Sequence, residues 1–176
     1  MTATINIGET PSSIASHLAA TTGVPQELVD ELLDLHSRQW GLEDDTRVPD
    51  TPPEKIAAAK AEIDRCNERR HHLIDLIDAA VRRPAPTQPI RVYAETIGEL
   101  CDRLLILDLK RRALSSRSDQ AHGVTDIENA CRHLAIAAAQ LLDDMAAGRA
   151  VLPPRVGVKV YNGAALASIG IDERRR

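Results

Sequence analysis

The chain has 176 residues, a formal charge of −4 and 43% apolar residues, with one Trp, two Tyr and no Phe. That is enough for one ordinary domain with a sizeable core, and an apolar fraction built from Ala, Leu, Ile and Val favours helix packing over sheets. With no concentrated basic block and few rings for bases to stack on, nucleic-acid binding is not expected, and no apolar run nears the roughly 18 residues of a membrane span.

The start, "MTATINIGETPSS", has neither a basic region nor an apolar core of signal-peptide type, so a cytoplasmic protein is expected, with residues 1–9 flexible. "TPSSIASHLAATTG" follows with Thr10 as N-cap, Pro11 at the first helical position and Gly23 as stop, which predicts a short helix. "QELVDELLDLHSRQWGLEDD" predicts a second helix, with Leu28, Leu32, Leu35 and Gln39 along one face, ended by "RVPDTPP". The third runs from about Pro53 to Arg83, and "RRPAPTQP" breaks it because proline cannot continue a helix.

"ETIGELCDRLLILDLKRRALSSR" opens on Thr96 and Glu99, the spacing of a capping box, and its middle is apolar nearly all round, as in a central helix. A last helix over roughly 124–147 stacks Ile127, Cys131, Leu134, Ala138, Leu141 and Met145, and stops at Gly148. The segment from "VLPPRVGVKVYN" onward reads as irregular, with residues 171–176 a frayed tail. The expected architecture is one all-α domain over 1–176, an antiparallel bundle of four long helices with a short N-terminal helix. Cys66, Cys101 and Cys131 fall within helices without CxxC spacing and read as packed thiols.

Polar residues interrupt the stripes that should be apolar. Positions 56, 60, 63, 67, 70, 74, 77 and 81 read Ile, Lys, Ile, Asn, Arg, Ile, Ile, Val, and beside them 64, 68, 71, 75 and 78 read Asp, Glu, His, Asp, Asp. The central helix adds Asp102, Arg103, Asp108 and Lys110. Unpaired burial of such groups costs several kcal/mol each, so three arrangements stay open. Arg70 and Arg103 could pair with Asp64, Asp75 or Asp78 in an interhelical ion network. They could instead, with Lys60, Lys110 and Asn67, line a cleft for a small anionic metabolite, since arginine forks suit carboxylate and phosphate. Glu68-x-x-His71, or His71 with Asp75, has the spacing of metal ligands, but no second such pair falls on a helix, so no metal or other cofactor is expected.

A second group stands at the end of the second helix, where His36, Trp40, Glu43 and Arg47 share one side beside Asp44. A lone tryptophan usually plugs a core, and Glu43 with Arg47 is an ordinary helical pair. No nucleophile elbow, P-loop, dinucleotide fingerprint or zinc-protease motif occurs. Any catalysis would therefore be electrostatic and acid–base, with His36, Glu43 or Asp44 moving protons and Lys60, Asn67, Arg70, Arg103, Lys110 and Trp40 holding substrate.

The blocks "LHSRQWGLEDDTR", "KAEIDRCNERRHHLIDLID", "AETIGELCDRLLILDLK" and "VKVYN" together resemble an uncharacterised bacterial family, the domain of unknown function four-two-five-four. The resemblance covers most of residues 32–162. It implies an all-helical protein, a setting near glycan or specialised-metabolite genes, and no established activity. The family's recurrent positions correspond here to His36, Trp40, Glu43, Asp44, Arg47, Lys60, Asp64, Asn67, Arg70, Asp75, Asp78, Glu95, Thr96, Gly98, Asp102, Arg103, Lys110, Tyr161 and Asn162. The chain departs from the pattern at Ile97, where proline is usual, at Gly163, where an acid is usual, and at His71 and His72. A fainter likeness, over about twenty residues, is to helical chorismate mutases, which position a small dianion with Arg and Lys. The alternative to a metabolite-binding protein is a non-catalytic helical module that binds a protein partner or forms a homo-oligomer through the Ala-rich helix 130–147.

Overall fold

The computed structural model describes residues 9–81, 91–115 and 121–153. Five helices account for nearly all of them: α1 (Pro11–Thr22), α2 (Gln26–Asp45), α3 (Pro53–Ala80), α4 (Ile97–Ser115) and α5 (Ala121–Ala146). The strands β1 (Arg91–Val92) and β2 (Ala150–Val151) are two residues each and pair in parallel, Arg91 with Ala150 and Val92 with Val151. The connector "RRPAPTQP", most of the first nine residues and the segment beyond residue 153 lie outside the described residues, and with them Tyr161 and Asn162.

Local chemistry sets the helix ends. The Ser13 amide donates to Thr10 Oγ1 at 3.2 Å, Pro11 begins α1, and Gly23 closes it at φ 79, a left-handed conformation that glycine adopts without a Cβ clash. At α4 the capping box forms in both directions. Thr96 N donates to Glu99 Oε2 at 2.8 Å, and Glu99 N donates to Thr96 Oγ1 at 3.2 Å. Gly148 ends the α5 turn at φ 67.

The core lies where α1, α3, α4 and α5 meet, with α2 closing one side against α3 and α4. Helix α1 is integral to it, because Ile14, Ala15, Leu18 and Ala19 are buried against α4 and α5. On α5 the expected stripe is buried from Cys131 through Leu134, Ala138, Leu141 and Met145. On α2 the buried face is Val29, Leu32 and His36, with Leu28 and Leu35 at its margin. The seam of α3 is buried at Ile63, Ile74, Ile77 and Val81 but not at Lys60, which is exposed. All three cysteines are buried and free, and burial pushes the Cys101 thiol up to about 12.

Two buried carboxylates pin the ends of these elements. Asp78 Oδ1 accepts the Gly98 amide at 2.8 Å, tying α3 to the first turn of α4. Asp144 accepts Tyr93 Oη at 2.7 Å and two Arg149 nitrogens at 3.0 and 2.7 Å, which fastens the β1–β2 pair to the end of α5. Those bonds hold the Asp144 carboxyl below the usual carboxylate range, with the Tyr93 hydroxyl the largest cause.

Candidate functional site

The two polar residues on the α3 seam have different partners. Asn67 is half-buried, and its Oδ1 accepts Gln39 Nε2 of α2 at 3.1 Å. Arg70 reaches across to α4 and grips Asp102 with two prongs, Nε to Oδ1 and Nη2 to Oδ2, each at 2.6 Å. The ion pair expected for Arg70 thus exists, but with Asp102 in place of Asp64, Asp75 or Asp78. Asp64 and Asp75 face outward from α3, and Asp78 is committed to the Gly98 amide.

The same Asp102 oxygen that takes Arg70 Nε also meets His36 Nε2 of α2 at 2.9 Å. Asp102 and His36 are both nearly sealed, each side chain 5% exposed. Burial on its own would raise the Asp102 carboxyl, yet the Arg70 and His36 bonds outweigh it and hold the group below its ordinary range. The Asp102 bond in turn pushes the Arg70 guanidinium upward against its own partial burial. An ionised carboxylate only accepts, so the His36 nitrogen facing it carries hydrogen.

Two members of this triad, His36 and Arg70, line an open groove of about 300 Å³, with Asp102 buried behind them. Along α2 the groove is lined by His36, Gln39, Trp40 and Glu43, whose spacing repeats one helical face, and Arg47 joins them from the turn that follows the helix. Arg70 faces them from α3, and Ile106 and Leu109 of α4 supply an apolar wall. Trp40 is 37% exposed and lines the groove, so it does not plug the core. Glu43 accepts Arg47 Nη2 at 3.2 Å, and Asp44 lies 3.5 Å from Arg47 Nη1.

Several residues expected at one site are not brought to it. Arg103 is exposed and pairs with Glu95 just ahead of α4, on a flank of the helix away from Asp102. Lys60 and Lys110 are exposed and do not line the groove. Glu68 and His71 are also exposed, and among the described residues no three His, Cys, Asp or Glu side chains gather as metal ligands. Three lining residues, Gln39, Ile106 and Leu109, were not marked from sequence as groove residues. The spacing of Asp102, Ile106 and Leu109 at i, i+4 and i+7 was the available signal for the last two.

A separate buried acid, Asp108, is fully enclosed nearly two turns beyond Asp102 and lies 3.1 Å from Arg111 and 2.5 Å from Arg112. Its partners come from its own helix, so it steadies α4 without contributing to the groove.

No curated protein and no solved structure matches the chain. Residues 26–153, which include every residue of the groove, match the family described as Protein of unknown function (DUF4254), and the chain belongs to that family.

Proposed function

We propose that the groove between α2, α3 and α4 binds a small anionic metabolite and transforms it by proton transfer. One observation carries this: a buried carboxylate fixes both an imidazole and a guanidinium at the edge of a cavity of small-molecule size. Asp102 orients the His36 ring, as the acid of a catalytic pair orients its histidine, and Nδ1 takes or returns the proton. Arg70 holds the anion with the part of its guanidinium that Asp102 leaves over. Glu43 and Asp44 stay in reach of the groove mouth through Arg47 and serve as alternative proton carriers. No covalent nucleophile is required, because positioning and charge complementarity supply the rate.

The family resemblance and the sequence pattern supply the rest of the proposal. The four long helices act as an antiparallel bundle that holds the groove, in a bacterial cytoplasmic protein of glycan or specialised-metabolite biosynthesis that uses no metal or other cofactor. A scaffold module built on α5 draws less support, since its outward face sets exposed Ile136 among Arg132, His133 and Gln140.

The test is thermal unfolding of the parent and of His36→Gln with a panel of small carboxylates and phosphates. A ligand at about 100 times its Kd stabilises the folded state by about 2.7 kcal/mol. The parent should respond to at least one anion, and His36→Gln should bind it while losing turnover. A well-folded parent that no anion stabilises would sink the proposal.

A further inference from the structure

The arginine fork, the tryptophan and the groove's size together limit what the ligand can be. A guanidinium has two edges that present parallel N–H groups, Nε with Nη2 and Nη1 with Nη2. Asp102 occupies the first edge of Arg70 completely. Among the described residues nothing bonds Nη1, so the second edge is open on a residue that lines the groove. That edge offers two coplanar donors, matched to the two oxygens of a carboxylate.

Charge limits the anion further. The Arg70 cation already faces Asp102, and the Arg47 cation faces Glu43 and Asp44. Both lining cations are thus already matched by carboxylates, so the ligand's charge is met by directional donation from the open edge of Arg70 alone, which a monoanion tolerates better than a phosphate dianion. Affinity must then come from directional bonds and from burying the ligand's body. The apolar surfaces available for that body are Trp40 of α2 and Ile106 and Leu109 of α4, which suit a flat apolar ring. A space of about 300 Å³ is at the small end of the range for ligand pockets, which suits a ligand of one ring.

Resting on the anion-binding reading above, we infer that the groove selects a single-ring monocarboxylate. Its carboxylate sits on the Nη1–Nη2 edge of Arg70, and its ring lies against Trp40 and the Ile106–Leu109 wall.

The chain reports on this itself, because its single tryptophan is in the groove. Benzoate, phenyl phosphate, benzyl alcohol, benzylamine and acetate would each be titrated into the full chain, following Trp40 emission and binding heat. Benzoate should bind at least about tenfold more tightly than any other probe, the margin a lost stacking surface or fork gives. Arg70→Lys should lower benzoate affinity by a further tenfold or so while keeping the charge, because lysine has no fork. If that variant unfolds, Trp40→Leu, which touches no buried ion pair, should weaken benzoate about tenfold by calorimetry.

Acetate binding as well as benzoate would overturn the ring. Tighter phenyl phosphate would overturn the carboxylate and leave the anion site standing. Benzyl alcohol or benzylamine binding equally well, or no probe binding to folded protein, would overturn the inference and the anion site together.

Discussion

Arg70 and Asp102 are joined by two parallel bonds of 2.6 Å, and the second of those residues is buried while the first is open to the groove. This asymmetry explains why a guanidinium stands on a seam otherwise filled by isoleucine. One edge of Arg70 neutralises a carboxylate that is nearly sealed from water, and its side chain remains 26% exposed. The structural and ligand-facing roles of this arginine are therefore served by different edges of one group.

Removing Arg70 should cost stability. Arg70→Leu leaves Asp102 with His36 as its remaining partner, and the loss should be roughly 2–3 kcal/mol, between the limits for exposed and buried pairs. Urea unfolding of Arg70→Leu, Asp102→Leu and the double variant would measure the coupling. The double variant should be more stable than the sum of the two losses implies. Strict additivity would mean that the pair contributes nothing to the fold.

Acid should weaken the protein through this same carboxylate. Asp102 has a folded-state value below its unfolded one, so its contribution is complete above the unfolded value of about 3.9 and disappears as pH falls through the lower folded value. Asp144 behaves in the same direction. The stability difference between the parent and Asp102→Asn should therefore shrink as pH drops from about 5 to about 2. Unfolding at several pH values reads it directly, and a gap that widened toward acid would contradict the assignment.

Gly98 should not tolerate a methyl group. A Cβ there would lie 2.7 Å from the Ile74 carbonyl oxygen and 2.9 Å from the Ile74 Cγ2 atom. The carbonyl belongs to the α3 backbone and cannot swing aside, so Gly98→Ala should cost about 1–3 kcal/mol and lower the melting temperature. Gly41, with nothing near its Cβ position, is the control. Gly41→Ala should be neutral or slightly stabilising, as helix propensity alone dictates.

Local signals in the sequence were sufficient for the helices. Thr10, Pro11 and Gly23 bound α1 as their chemistry requires, and the span 26–45 of α2 is the one its pattern marked. The Thr96–Glu99 box was equally readable because both partners sit within one turn. Lys60 misled for a geometric reason. A strict seven-residue count drifts about 20° per heptad from a straight helix, so a position three heptads from Val81 has rotated well off the buried face. The partners of Arg70 and His36 were beyond reach, since Asp102 is 32 and 66 residues away in sequence. No helical period connects them. Polar residues on buried stripes announced that a cluster existed, and only the packing of α2 and α3 on α4 decided which of the acids would receive them.

The β1–β2 pair has a mechanical meaning of its own. It joins the chain just before α4 to the chain just after α5, so these two helices form a closed ring whose clasp is two ladder bonds and one carboxylate, Asp144. Opening that clasp frees both ends of the ring at once. The Asp102 triad draws its bonds from α2 and α3, so the clasp and the groove are held by separate sets of contacts that share only α4.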